Sequence, residues 1–580
     1  MQIETLLYRR IYNSRLIVLL ATVFAVLNLS GCGSYKRFSP PILPDDRHNI
    51  PEPKERNYNY IQDGFDNQIT GQITQSFDLT RQIRNISNSR KQAFNANAFD
   101  EVPNSSWFTN RNARSQMSIE EILRGPDSGE GPDKSGSWIV KRAKTEGVTP
   151  GFTIKDPRGE MYLIKFDPQG YSELVTGAEV ISTKLFYASG YHVPENYLTY
   201  FNPDILELDD NVKFTDSNGE KRKMTDTDLR ELLDSIQRLP DGSIRALASK
   251  YIKGIPKGPF SYEGFRKDDP NDYIPHQHRR ELRGLKVISA WLNHVDTKSG
   301  NSFDSYVTEN ENSYIRHYLI DFGSTLGSAA HGPTSPESGH INQLDPHAII
   351  TNLATLGLNV RSFEKIDGIQ YPSGGLYEAD IFNPAKFKSS VPNPAFENCT
   401  NLDGFWGAKI VMSFTDEQLK AIIDLGQYSN PEAAKYIFST LIRRRDKIGR
   451  YWFNKVNPLD KFELLENADN QSLLFKDLAV ETGLESAQST AYKYEIRING
   501  RVVRNNIPFN NDPLPELPGI IERNKLLSKI NLKNNEQVQY EFRLYTSRNY
   551  GKNWSKWTSV FLVVNNETGL YELIGIRRQN

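Results

Sequence analysis

Residues 293–301 read NHVDTKSGN, a polar loop with a carboxylate at Asp296, an ammonium at Lys298 and a carboxamide at Asn301. About twenty residues on, the run YLIDFG stops at a second carboxylate, Asp321. Such side chains suit a reaction that needs positioning and charge neutralisation more than covalent help, as phosphoryl transfer does. A plainer reading has Asp296 and Asn301 capping and turning a helix-to-strand connection. His276, His278 and His294 have no third partner at ligand spacing and read as structural or solvent-facing.

The loop must be held by its neighbours, and these have clear patterns. LRGLKVISAWL before it reads as a helix, and YLIDFG after it as a short strand. Upstream, SWIVKRAK reads as a strand, TEGVTPG as a turn, and FTIKDPRGEMYLIKFDP as two strands joined at DPRG. Alternation puts Tyr162, Ile164 and Phe166 on one face and Leu163 with Lys165 on the other, aiming the ammonium across the sheet. A helix-period run from Glu173 to Ala188 carries two carboxylates, Glu173 and Glu179. ENYLTYF and, after a polar insertion, SIRALASKYIKGIP supply further strands, the second running into a Gly/Pro-rich hinge. Past the hinge the chain is mostly helical, and capping boxes start at Ser118 and Thr415. The basic run LIRRRDK at 441–447 reads as a solvated helix face. From about Tyr492 the sequence alternates around an Asn499-Gly500 turn, with Trp554 and Trp557 expected in the core of a separate β domain.

His294, Asp296, Lys298 and Asn301 fall at the offsets of the protein-kinase catalytic loop, with Val295 in place of its Arg. Leu319–Gly323 resembles the segment that carries the metal-binding Asp, and Lys165 resembles the Lys of the V-A-I-K strand. The resemblance covers about residues 137–455. TEGVTPGF lacks the full G-x-G-x-x-G spacing and no A-P-E follows soon after DFG, which points to atypical branches of the fold, HipA-type, lipid-kinase-like or secretory-kinase-like.

That resemblance implies an α+β chain: a two-lobed kinase-like domain, with a β-rich N-lobe over 137–260 and an α-rich C-lobe over 261–480, then a small immunoglobulin- or fibronectin-like β-sandwich over 485–580. Lys165 would bind phosphates of ATP or another nucleotide, paired with Glu179, or with Glu173 as the alternative. Gly147 and Gly151 would cover those phosphates. Asp321 and Asn301 would hold Mg²⁺ or Mn²⁺, Asp296 would orient or deprotonate an acceptor hydroxyl, and Lys298 would neutralise charge on the moving group. The implied activity is phosphoryl transfer to a hydroxyl on a protein, glycan or small molecule. Two other readings keep the fold: an inactive pseudokinase that binds an envelope partner, and a nucleotidyl transferase.

Arg9, Arg10 and Arg15 precede an apolar run from Leu16 to Leu29, shorter than a transmembrane helix needs. It ends in Leu29-Ser30-Gly31-Cys32, which resembles the lipobox of bacterial lipoproteins, so residues 1–31 read as a signal peptide and Cys32 as the lipidated, palmitate-bearing residue. Gly33 favours the outer membrane of a bacterial cell envelope over the inner one. Pro-rich residues 32–60 suit an extended tether, and 61–136 an extension that is weakly structured or wrapped on the next domain. Only Cys399 then remains, which excludes an intrachain disulfide. A net charge of -1 and a pI near 6.8 leave no global field for nucleic acid. The expected partners are the membrane, an unknown acceptor, and an envelope protein or glycan at the C-terminal β domain.

Overall fold

The run of β-branched and aromatic residues that opens at Trp138 folds into a six-stranded sheet. Its strands are β1 (Trp138–Ala143), β2 (Gly151–Lys155), β3 (Met161–Lys165), β4 (Asn196–Phe201), β5 (Leu206–Leu208) and β6 (Ile244–Lys250), in the order β4-β6-β3-β2-β1-β5. β2 and β3 join at the DPRG turn, where Gly159 takes φ 85, a left-handed value that costs glycine little. Tyr162, Ile164 and Phe166 are sealed against Trp138, Phe152 and Ile154, as strand alternation requires. Leu229 and Leu233 from the helix Asp226–Asp234 join this layer.

The computed structural model describes residues 35–57, 90–143, 151–215, 221–345, 361–366, 368–467, 470–509, 516–530 and 537–580. The expected signal peptide, Cys32, Gly147 and residues 61–89 of the extension lie outside the described residues.

Below the sheet lies a helical body of mixed α/β character. Calling Ile119–Arg124 α1, its other helices of use here are α2 (Leu174–Ser189), α3 (Arg280–Leu292), α4 (Asn401–Met412), α5 (Asp416–Asp424) and α6 (Pro431–Phe453). Phe186, Trp291, Phe322, Phe405, Trp406 and Leu441 share its core. α3 and α4 approach closely: a Cβ at Gly284 would lie 2.5 Å from the Trp406 ring, which is why a glycine stands mid-helix. Asp403 accepts from Arg280 at 3.3 Å and Arg283 at 3.2 Å, all three side chains being buried. A hairpin, β7 (Ser302–Glu309) and β8 (Asn312–Leu319), follows the polar loop. The capping boxes at Ser118 and Thr415 both form.

LIRRRDK is not wholly solvated, because Arg444 is buried. Its guanidinium donates to the carbonyls of Ala290 at 2.6 Å and Glu378 at 2.8 Å and stacks over Phe382. Burial lowers its pKa.

The C-terminal region is one five-stranded antiparallel sheet: with Leu459–Asn467 as β9 and Asn470–Asp477 as β10, it comprises β11 (Ala491–Ile498), β12 (Arg501–Phe509), β13 (Tyr540–Ser547), β14 (Thr558–Val564) and β15 (Tyr571–Arg578). In place of a second full sheet, the β9–β10 hairpin supplies Leu459, Phe462, Leu473 and Phe475 to cover Ile496, Phe542, Val560 and Leu562. The hairpin thus packs with the C-terminal unit, although the sequence reading assigned it to the helical part. Trp554 and Trp557 are outside this core. They are half-buried, with Lys493 over the first ring at 4.5 Å and Arg543 over the second at 4.5 Å.

Residues 35–57 form neither helix nor strand but lie on the body instead of standing off it. Phe38 stacks on Phe561 at 4.3 Å, and the Ile50 amide donates to the Ser313 carbonyl at 2.9 Å. Residues 90–136 take the wrapped course, with Trp107 stacked on His317 at 3.5 Å and Phe108 sealed in the helical core. Cys399 is buried, and burial pushes its thiol up to about 12. Among the described residues no helix is long and apolar enough to cross a membrane.

Candidate active site

The site is organised by α2, and α2 is organised by Asp167. This carboxylate accepts from the backbone N–H groups of Glu173 at 2.9 Å, Val175 at 2.8 Å and Thr176 at 2.9 Å, and from the Thr176 hydroxyl at 2.8 Å. It thereby satisfies donors that the first turn of a helix leaves unpaired. Further along, the buried Lys184 pairs with Asp127 and donates to the Arg124 carbonyl at 2.9 Å, tying α2 to the end of α1.

Held in this way, α2 presents Glu179 to β3. Lys165 Nζ donates to Glu179 Oε1 at 2.7 Å and to Asp321 Oδ1 at 3.0 Å. The lysine and glutamate side chains are 9% and 1% exposed, whereas Asp321 is 53% exposed. Burial opposes the charge on Lys165, but the carboxylates of Asp321 and Glu179 outweigh it and hold its pKa above the ordinary value. Glu173 is turned elsewhere: it stands at the N-cap with φ 70, and its carboxylate accepts from the Ser429 amide at 2.9 Å. In register, Gly151 on β2 and Leu247 on β6 flank Lys165.

The polar loop begins where α3 ends at Asn293, in the left-handed conformation with φ 53. Asp296 pairs with Lys298 at 3.0 Å. Asn301 donates through Nδ2 to the Asp296 carbonyl at 2.7 Å, which leaves its carboxamide oxygen as the candidate donor atom for a cation. The Ile320 amide donates to the Asn301 carbonyl at 3.1 Å, so the loop and the segment leading to Asp321 are joined. From the other side, the Ser390 amide bonds the Val295 carbonyl at 2.8 Å and Asn393 Nδ2 bonds the Thr297 carbonyl at 3.0 Å, bracketing Asp296.

Asp321 itself has φ 63, an uncommon value for a residue with a Cβ and one that Asp tolerates better than most. Behind it Phe322 stacks on Phe186 at 4.6 Å, and His294 packs edge-on to both rings at 6.0 and 5.5 Å. Burial lowers the His294 pKa, against the opposing pull of the Asp296 and Asp321 carboxylates. A Cβ at Gly323 would lie 3.1 Å from Val175 Cγ1, so the turn fits closely against α2.

Lys165, Glu179, Asp321, Asp296, Lys298 and Asn301 come from β3, α2 and two loops. Among the described residues, no group of three His, Cys, Asp or Glu side chains gathers as a metal cage. One exposed carboxylate and one carboxamide oxygen fit Mg²⁺ or Mn²⁺ held jointly with substrate phosphates, which is how such ions are usually bound. Asp167, Lys184, Asp127 and Arg444 were missed from sequence. Only Asp167 had a local signal, as an acid between a strand and a helix start.

No protein-family model matches the sequence, and no curated protein matches it. Among solved structures, a Helicobacter pylori proinflammatory kinase, CtkA, is similar at 12% identity and TM-score 0.27, over 52% of this chain and 94% of that one. A Golgi casein kinase with Mn/ADP bound is similar at 10% identity and TM-score 0.25, over 70% of this chain and 94% of that one. A second structure of the Golgi casein kinase shows 11% identity and TM-score 0.26, over 71% of this chain and 96% of that one.

Proposed function

We propose that this chain is a two-lobed, kinase-like phosphotransferase of the bacterial cell envelope, lipid-anchored through Cys32, that moves a phosphoryl group from a nucleotide to a hydroxyl acceptor. The observation that carries the reading is the contact of Lys165 with both Glu179 and Asp321. A buried cation between two carboxylates, one of them open to solvent, is the arrangement needed where an anionic phosphate chain and a divalent cation meet.

In this reading Lys165, fixed by Glu179, holds donor phosphates and stays charged. Asp321 and the Asn301 carboxamide oxygen hold Mg²⁺ or Mn²⁺, which neutralises phosphate charge. Asp296 orients the acceptor hydroxyl and takes its proton, while Lys298 screens the developing charge between them. Asp167 and Arg444 act through others, as positioning residues for α2 and for the start of the loop.

Thermal shift of the mature chain with ATP, ADP and GTP, with and without Mg²⁺ or Mn²⁺, tests the reading. A metal-dependent shift that Asp321→Ala removes is expected, and no shift with any nucleotide would favour an inactive binding protein. Label transferred from γ- but not α-labelled ATP would distinguish phosphoryl from nucleotidyl transfer. The anchor has its own test: labelled palmitate should enter the protein, and Cys32→Ser should prevent it.

A further inference from the structure

We propose that the Asn499–Gly500 end of the C-terminal sheet is the surface this protein lays against a lipid bilayer. The inference rests on the reading of Cys32 as lipidated and extends it from an anchor to an orientation.

A Pro-rich tether would let the body turn freely above the membrane, but residues 35–38 are clamped. The Tyr35 ring covers Gly500, where a Cβ would lie 2.4 Å from it, and the Tyr35 hydroxyl donates to Gln539 Oε1 at 2.7 Å. The Phe38 amide donates to the same oxygen at 2.8 Å, and Gln539 Nε2 donates back to the Phe38 carbonyl at 3.0 Å. Arg37 donates to Gln537 at 2.6 Å, and Phe38 stacks on Phe561 with Arg577 beside both rings. A glutamine that answers both backbone groups of Phe38, beneath a stacked ring, is a built dock.

Three residues lead back from Tyr35 to Cys32, a reach of at most about 11 Å. An acyl chain on Cys32 therefore brings headgroups within reach of this end of the sheet. Lys36 and Arg37 on the arm are exposed cations that suit the phosphates of an anionic headgroup layer, and Glu567 in the β14–β15 turn is a carboxylate at the same end of the sheet. Tyr35 at 39% and Val502 at 47% exposure add groups that favour the interface.

The test uses the full chain matured in a bacterial host and reconstituted in phosphatidylethanolamine/phosphatidylglycerol vesicles that carry doxyl-labelled lipid. One fluorophore is placed at Val502→Cys and, in a second protein, at Lys435→Cys. Lys435 is 74% exposed near the start of the 23-residue α6. The buried Cys399 stays unlabelled. Severalfold stronger quenching at 502 is expected, and equal quenching or stronger quenching at 435 overturns the orientation. The mass of the N-terminal peptide separates the two claims: an unmodified Cys32 overturns anchor and orientation together, whereas a lipidated Cys32 with equal quenching overturns the orientation alone. Replacing Tyr35 and Phe38 by Ala should free the arm and abolish the difference, and a difference that persists would also overturn the proposal.

Discussion

Lys165 Nζ lies 2.7 Å from Glu179 Oε1 with both side chains almost sealed from water. Removing one partner of such a pair leaves a buried charge behind, at a cost of about 3–5 kcal/mol. Glu179→Gln is therefore expected to lower stability by an amount at the low end of that range, since the amide still accepts from Lys165. It should also weaken nucleotide binding. Glu173→Gln should leave the nucleotide response intact. Chemical denaturation and nucleotide titration of the two variants check both halves.

Asp296 and Asp321 should fail differently. Asp321→Asn is expected to lose metal-dependent nucleotide binding, because it removes the exposed carboxylate beside Lys165. Asp296→Asn should still bind nucleotide and metal but lose turnover by about 10²–10⁴-fold, the usual contribution of a positioned proton acceptor. Calorimetry with Mg²⁺ and ADP, set beside a transfer assay, separates them.

Asp167→Ala should cost about 2 kcal/mol, at the upper end for a lost N-cap, because four donors lose their acceptor together. Faster hydrogen exchange over 173–177 and weaker nucleotide binding should accompany the loss. A change in stability with no effect on nucleotide binding would mean that the cap does not position Glu179.

Burial raises the Asp127 pKa to about 6 from its ordinary 3.8, more than the ion pair with Lys184 lowers it. The folded chain thus holds this proton more tightly than the unfolded chain. Its contribution is fully present below pH 4 and is lost as pH rises through about 6, by at most about 3 kcal/mol. Asp127→Asn should flatten that part of the stability profile, as denaturation midpoints taken between pH 4 and 7 would show.

The residues around Lys165 were legible because their placement depends on short-range rules. Alternation along MYLIKFDP decides which way Lys165 points, helix period puts Glu179 about one and two-thirds turns past Glu173, and Asp296 and Asn301 sit on one tight loop. Contacts across hundreds of residues leave no such trace. Nothing in SYKRFSPP announces that Phe38 meets Gln539 and Phe561, so a docked arm read as a tether. Arg444 read as solvated because its partners are carbonyls on α3 and on the segment after Tyr377. Trp557 shares the parity of Phe561, on the face away from Val560 and Leu562. The run SVFLVV is apolar at almost every position, so it did not reveal which parity faced inward.

Cys399 offers a way to time the molecule. Its sulfur is buried in the helical body and its thiolate is disfavoured, so a thiol reagent reaches it only in the moments when that body opens. In a chain whose Cys32 is blocked by lipid, the rate of modification becomes a clock for those openings. It reads how often the helices that support the Asp296 loop come apart, and on the proposed function a nucleotide that bridges the sheet and the helical body should slow it.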